Sequence, residues 1–291
     1  MTNYKLFATG QTESPSLRVG SRLGKYRIMK RLGEGGFATV YAANDTIEGR
    51  QVALKIPEER FTSNNQCLDS LLREVRILAK LDHPSIVQLK DAQFYGDRFV
   101  MVFPLGGESL LDRLTRRMAR ASAVDYALQM IDAVAYAHQH KILHRDIKPE
   151  NLILFPDQTI RLGDFGLARV QVGRHEMSGS GTLGYMAPEQ AMGHPSYRSD
   201  VFSLGLVLYR LLAGELPEYP FESPLPGYNR LRRGLAADFV AAIRKAVDPA
   251  PNKRFRDAVA MKNAIASIRT PLICGSIPSK LRVTSSTRRA A

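Results

Sequence analysis

The sequence predicts an α+β fold in two unequal lobes, a small β-rich lobe over 26–105 and a larger helical lobe over 106–268. Three observations carry this. Between 26 and 105, short runs of β-favouring residues end at glycine-rich turns. From about 108 onward, apolar residues recur at helical spacing in four long segments. The chain has 291 residues with 44% hydrophobic and 24% charged content, enough to bury a large core in an ordinary soluble globular protein.

The elements follow in order. Residues 1–25 are polar, with Gly10, Pro15, Gly20 and Gly24, and read as a flexible N-terminal segment. Strands at 26–32 and 39–43 flank a glycine turn, with further strands at 51–56 and 99–105. The last of these, FVMVFPL, ends at Gly106-Gly107. Leu68, Leu71, Leu72, Val75 and Leu78 mark one helix between them. Helices are expected at 121–140, 200–213, 236–246 and 257–268. Residues 269–291 form a basic tail rich in Ser, Thr and Arg and are expected to be disordered. There is no internal repeat.

The formal net charge is +13, of which +3 lies in residues 1–25 and +5 in 269–291. Solvated tails and a docking arm for an anionic surface both fit this distribution. Cys67, expected in a lobe loop, and Cys274, in the tail, have no Cys or His neighbours at metal spacing. They suggest neither a disulfide framework nor a zinc site and fit a reducing compartment. The N-terminus shows no apolar signal core. The most apolar run, 201–213, is too short to cross a bilayer and contains Arg210. The expectation is a cytoplasmic protein without a transmembrane segment.

HRDIKPEN at 144–151 and DFG at 164–166 carry the chemistry. Asp146 stands five residues before Asn151, and Asp164 stands 18 residues after Asp146. Moving a phosphoryl group from a nucleotide needs one carboxylate to orient the attacking hydroxyl, and an Asn and another carboxylate to hold metal ions. GEGGFATV at 33–40 lies between two strands. Its glycines allow backbone N–H groups to approach phosphates, although any glycine hairpin looks similar. Lys55 in VALK sits in an apolar strand, where it must be paired or reach out to water. Glu74 lies beside the apolar stripe of its helix, and taken alone it reads as a surface residue.

In this order these motifs resemble the catalytic core of eukaryotic-like (Hanks-type) serine/threonine protein kinases. The YMAPEQ and SDVFSLGLVLYRLLAGELP segments are similar to bacterial members. The resemblance covers residues 26–268 and implies a bilobal protein-kinase fold that binds ATP and Mg2+. It implies Asp146 as catalytic base and Lys148 as the cation that neutralises the transferring group. Asn151 and Asp164 would hold Mg2+. Leu32, Gly33, Gly35 and Gly36 would cover the nucleotide, with Val40 and Ala53 above the adenine and Ile153 below. Phe103 and Leu105 would form the hinge edge after Val102, and Lys55, held by Glu74, would clamp the phosphates. Ala38 departs from the family pattern, which has a third glycine there. Glu108 would either bond the ribose or, with Glu150, favour basic residues upstream of the acceptor. Arg210 stands where some Arg-directed members carry another Glu.

Lys148 and Thr182 imply serine/threonine acceptors in protein substrates. Arg145 implies an activation loop ordered by autophosphorylation at Ser178 or Ser180. Glu189 with Arg254, Asp200, and His144 with Phe165 are implied as scaffold. Rival readings are a catalytically silent scaffold, a small-molecule kinase and a nucleic-acid binder. Lys55, Asp146 and Asp164 are all present, against the first. The APE segment and Thr182 oppose the second, and the absence of aromatics interleaved with the basic tails opposes the third. No nucleic-acid partner is expected.

Overall fold

The computed structural model describes residues 17–165 and 183–273, except for the side chains of Glu74 and Leu183. The expectations for Ser178, Ser180, Thr182, Cys274 and residues 1–16 and 274–291 therefore fall outside the described residues, as does the proposed partnership of the Glu74 carboxylate. Within the segments expected to be flexible, Arg22–Leu23 instead forms a strand with Leu23 buried, and Ile273 bridges Leu235, because both ends pack on their lobes.

The smaller lobe opens with strands β1 (Arg22–Leu23), β2 (Tyr26–Glu34), β3 (Ala38–Asp45) and β4 (Arg50–Pro57). Helices α1 (Glu59–Thr62) and α2 (Asn65–Leu78) follow, then β5 (Asp91–Tyr95) and β6 (Arg98–Pro104). The six strands make one sheet in the order β1-β2-β3-β4-β6-β5, with antiparallel neighbours. Period-two alternation gives each face its own core. Tyr26, Ile28, Tyr41, Leu54, Val100 and Val102 pack on one side. Ala38, Phe99 and Met101 meet Phe61, Leu71 and Val75 of α1 and α2 on the other. Helix α2 starts where the Asn64 side chain accepts the N–H groups of Gln66 and Cys67. Cys67 thus lies in a helical turn and not in a loop. Strand β5 escaped the sequence reading because it is an edge strand with weak alternation, and Asp91 and Phe94 are exposed.

The larger lobe begins with β7 (Glu108–Ser109), α3 (Leu110–Arg113) and α4 (Arg120–Gln139). Strands β8 (Leu152–Leu154) and β9 (Ile160–Leu162) join β7 in a small antiparallel sheet. Then come α5 (Pro188–Ala191), α6 (Tyr197–Ala213), α7 (Tyr228–Arg232), α8 (Ala237–Ala246) and α9 (Ala258–Ala266). Helix α6 is the core, buried from Ser199 to Tyr209 and packed by α4, α7, α8 and α9. Burying each of its leucines contributes roughly 1.5–3 kcal/mol. Gly205 lets α8 approach, since a methyl there would lie 2.8 Å from the Ala246 Cβ. Helix α6 starts three residues before the apolar run suggested, because Ser196 and Ser199 form a capping box. Among the described residues no helix is long and apolar enough to cross a membrane.

Candidate active site

The turn that carries Asp146 is fixed from the helical core. Asp200, buried in the first turn of α6, accepts the backbone N–H of His144 at 2.7 Å and that of Arg145 at 2.8 Å. His138 on α4 approaches the same carboxylate at 3.1 Å. The Ala258 N–H donates to His138 Nδ1 at 3.0 Å, so Nε2 carries the proton and donates to Asp200. Arg145 has φ 70, a left-handed conformation that non-glycine residues adopt only when their surroundings enforce it. The Asp200 bond on one side and Gln190 Nε2 on the Arg145 carbonyl, at 2.6 Å, supply that enforcement. The same tautomer logic applies to His144. Its Nδ1 accepts the Asp146 N–H at 3.2 Å, so its Nε2 donates to the Gly163 carbonyl at 2.8 Å. Its ring packs on Phe165 with centroids 4.6 Å apart.

Around Asp146 the partners are close. Asn151 Nδ2 donates to the Asp146 carbonyl at 2.8 Å and to its carboxylate at 3.0 Å, and Lys148 Nζ lies 3.0 Å from the same Oδ2. Asn151 sits buried at the end of a 3-10 turn, Pro149–Asn151, where its carbonyl also accepts the Gly163 N–H at 2.8 Å. Asp164, two residues beyond β9, has φ 58 and reaches Lys55 of β4 at 2.6 Å. Partial desolvation opposes ionisation of Asp164, whose side chain is still 46% exposed. The Lys55 ammonium outweighs it, with help from Lys148, and holds the carboxyl below the usual carboxylate range.

The donor set fits a hard divalent cation. Both contacts of the Asn151 amide nitrogen go to Asp146, which leaves the amide oxygen as its ligand atom. Asp164 adds an ionised carboxylate. Two protein oxygens suit Mg2+, which keeps waters and takes phosphate oxygens for the rest of its shell.

The residues expected around the nucleotide come from both lobes. The β2–β3 hairpin places Gly33 opposite Val40, and the Gly35 N–H donates to the Ala38 carbonyl at 3.1 Å. Leu32, Gly33, Gly35 and Gly36 are exposed. Phe37 turns inward against Phe61 with centroids 4.8 Å apart, and its carbonyl accepts the Glu58 N–H at 2.9 Å. Val40 and Ala53 are half-buried on neighbouring strands, and Ala53 pairs with Phe103. Leu105, also half-buried, follows β6, and Ile153 lies on β8. Gly106 joins these regions, because a methyl there would overlap the Ile153 side chain. Glu108 on β7 is ion-paired with Arg116 of the same chain.

Glu189 and Arg254 meet as the sequence suggested, with bonds of 2.7 and 3.1 Å. Burial pushes the Glu189 carboxyl up, and the Arg254 and Ser199 bonds prevail and hold it low. His138, Gln190 and Gly106 were not singled out from sequence. Their partners lie at Asp200 and Ala258, at Arg145, and at Ile153. No local pattern signals such distant contacts.

The family model for the protein kinase domain matches residues 26–240. The chain is 37% identical over 207 residues to the carbon catabolite-derepressing protein kinase of Saccharomyces cerevisiae, covering 69% of this chain and 33% of that one. To the serine/threonine-protein kinase PrkC of Bacillus subtilis it is 35% identical, covering 68% of this chain and 32% of the relative. The chain thus spans about a third of the length of these curated relatives. The kinase domain of PknI from Mycobacterium tuberculosis has the same fold, with a TM-score of 0.66 at 23% identity over 86% of this chain and 99% of that one.

Proposed function

This chain belongs to the protein kinase family, and we propose that it transfers the γ-phosphoryl group of ATP to serine and threonine hydroxyls of proteins. The observation that carries this reading is the Asp146 carboxylate, held by Asn151 and Lys148 on a turn fixed by Asp200. Asp146 accepts the acceptor hydroxyl's hydrogen bond and aligns its oxygen for attack on the γ-phosphorus. The bond from that phosphorus to the ADP oxygen breaks as the new P–O bond forms. The hydroxyl proton passes to Asp146 or to the transferred phosphate. Lys148 stabilises the negative charge on the moving group. Lys55 orients the α- and β-phosphates. Asn151 and Asp164 supply oxygens to Mg2+, which when bound neutralises phosphate charge. Leu32, Gly33, Gly35, Gly36, Val40, Ala53, Phe103, Leu105 and Ile153 enclose the nucleotide. Glu74 steadies Lys55. Residues 26–268 form the catalytic domain, which works in the cytoplasm.

Support for serine and threonine acceptors comes from Lys148 and from relatives named as serine/threonine kinases. Intact-mass spectrometry after incubation with Mg-ATP tests the reading on wild type, Asp146→Ala and Ser178→Ala/Ser180→Ala. Added phosphates are expected in wild type, none in Asp146→Ala, and fewer in the double variant. No incorporation by wild type into itself or into a basic protein substrate contradicts it.

A further inference from the structure

A band of arginines borders the proposed acceptor site. It starts at the hinge end, where Arg116 pairs with Glu108, the carboxylate that the resemblance assigned to basic substrates or to ribose. Residues 113–120 hold four arginines and no acid. Arg120, at the start of α4, donates to the Leu212 carbonyl at 2.9 Å and to the Arg230 carbonyl at 3.0 Å, so the band continues into α7. Residues 228–233 carry three more arginines and again no acid. The Arg230 guanidinium lies over Gly214, four residues after Arg210 on α6. Arg210 closes the circuit by donating to the Tyr185 hydroxyl at 2.6 Å. Tyr185 lines a small pocket with Arg145 and Asp146.

The charge of this band is unbalanced. Arg117 and Arg232 are exposed and make no ion pair among the described residues. Clustered like charges on a surface repel, and an anionic partner relieves that repulsion while gaining steering and register. Glu108, one of the two carboxylates that would attract a basic peptide, is meanwhile engaged by Arg116.

We propose that this band docks acidic, Asp- and Glu-rich segments of protein substrates, with Arg116 setting specificity by neutralising Glu108 and Arg210 holding its charge at the Tyr185 hydroxyl beside the acceptor pocket. This reverses the preference for basic residues that Glu108 and Glu150 suggest from sequence. It rests on the protein kinase reading for its place in catalysis, but docking is measurable without phosphate transfer.

Fluorescence anisotropy on the whole chain tests it, using a labelled serine peptide flanked by Asp and Glu and its counterpart with Lys at those positions. The acidic peptide is expected to bind at least about tenfold more tightly, corresponding to about 1.4 kcal/mol. Arg117→Glu/Arg232→Glu should erase that margin, and rising salt should weaken wild-type binding steeply. The salt titration needs no variant, so the proposal remains testable if the charge reversal unfolds the protein. Equal affinity for the two peptides, tighter binding of the Lys peptide, or a salt-insensitive affinity would overturn the proposal. So would a DNA duplex that binds more tightly and displaces the peptide, which would make the band a nucleic-acid surface. Selective acidic binding with no phosphate transfer by wild type would leave the docking surface standing and refute the activity.

Discussion

The turn that bears Asp146 and the glycine turn between β2 and β3 serve the same proposed reaction but are held by different means. The first is fixed by side chains from three other elements: Asp200 on α6, Gln190 on α5 and, through Asp200, His138 on α4. A left-handed Arg145 survives there because its surroundings leave it no alternative. The second is held by fewer ties, the Gly35–Ala38 and Glu58–Phe37 backbone bonds and one Arg60 bond to the Gly36 carbonyl, with Phe37 as its inward anchor and its glycines facing open space. One loop is built to stay and the other to move, which suits a rigid acceptor site opposite a cover that must open for ADP to leave.

Substitutions can break that contrast. The largest effect is expected at Arg254, whose buried guanidinium joins Glu189 to three backbone carbonyls. Glu189→Ala strands this charge and should destabilise the protein by about 3–5 kcal/mol in urea unfolding, with activity lost alongside. Asp200→Ala removes the acceptor of two backbone N–H groups and of His138. It should cost about 2–4 kcal/mol, and it should lower kcat far more than it raises KM for ATP. Gly106→Ala forces a methyl into Ile153 and should destabilise by about 1–3 kcal/mol while weakening nucleotide binding.

The glycine turn should behave in the opposite way. Gly33→Ala and Gly36→Ala meet no neighbour within 4 Å and should shift stability by less than about 1 kcal/mol, yet raise KM for ATP severalfold. Equal stability losses in both loops would dissolve the comparison. The smallest effect lies outside both, at Asp132 on α4. The His83 bond and Lys262 lower its carboxyl from 3.8 to about 2, against burial. A depressed folded value stabilises above pH 4 and loses that contribution as pH falls towards 2. Asp132→Asn should flatten this part of the acid-unfolding profile slightly, since the side chain is 43% exposed.

Local patterns made much of this legible in the sequence. The β-favouring runs on either side of the glycine turn, the stripe Leu71–Val75–Leu78 in α2 and the apolar run of α6 each declared their element. The spacing of Asp146, Asn151 and Asp164 named the polar centre before any geometry. What stayed hidden depends on contacts between remote residues. The edge strand β5 and the two-residue β7 gain their form from partners and not from their own residues. The Glu108–Arg116 pair hid for another reason, because a carboxylate's motif position does not say which cation already holds it.

The most direct test of the central claim is steady-state phosphate transfer from Mg-ATP to a serine peptide and its tyrosine counterpart, by wild type and Asp146→Asn side by side. The account predicts turnover of the serine peptide alone, and a fall in kcat on the order of 10³-fold in the variant with KM for ATP little changed. A variant that turns over as fast as wild type would contradict the role assigned to Asp146 and the catalytic geometry built around it.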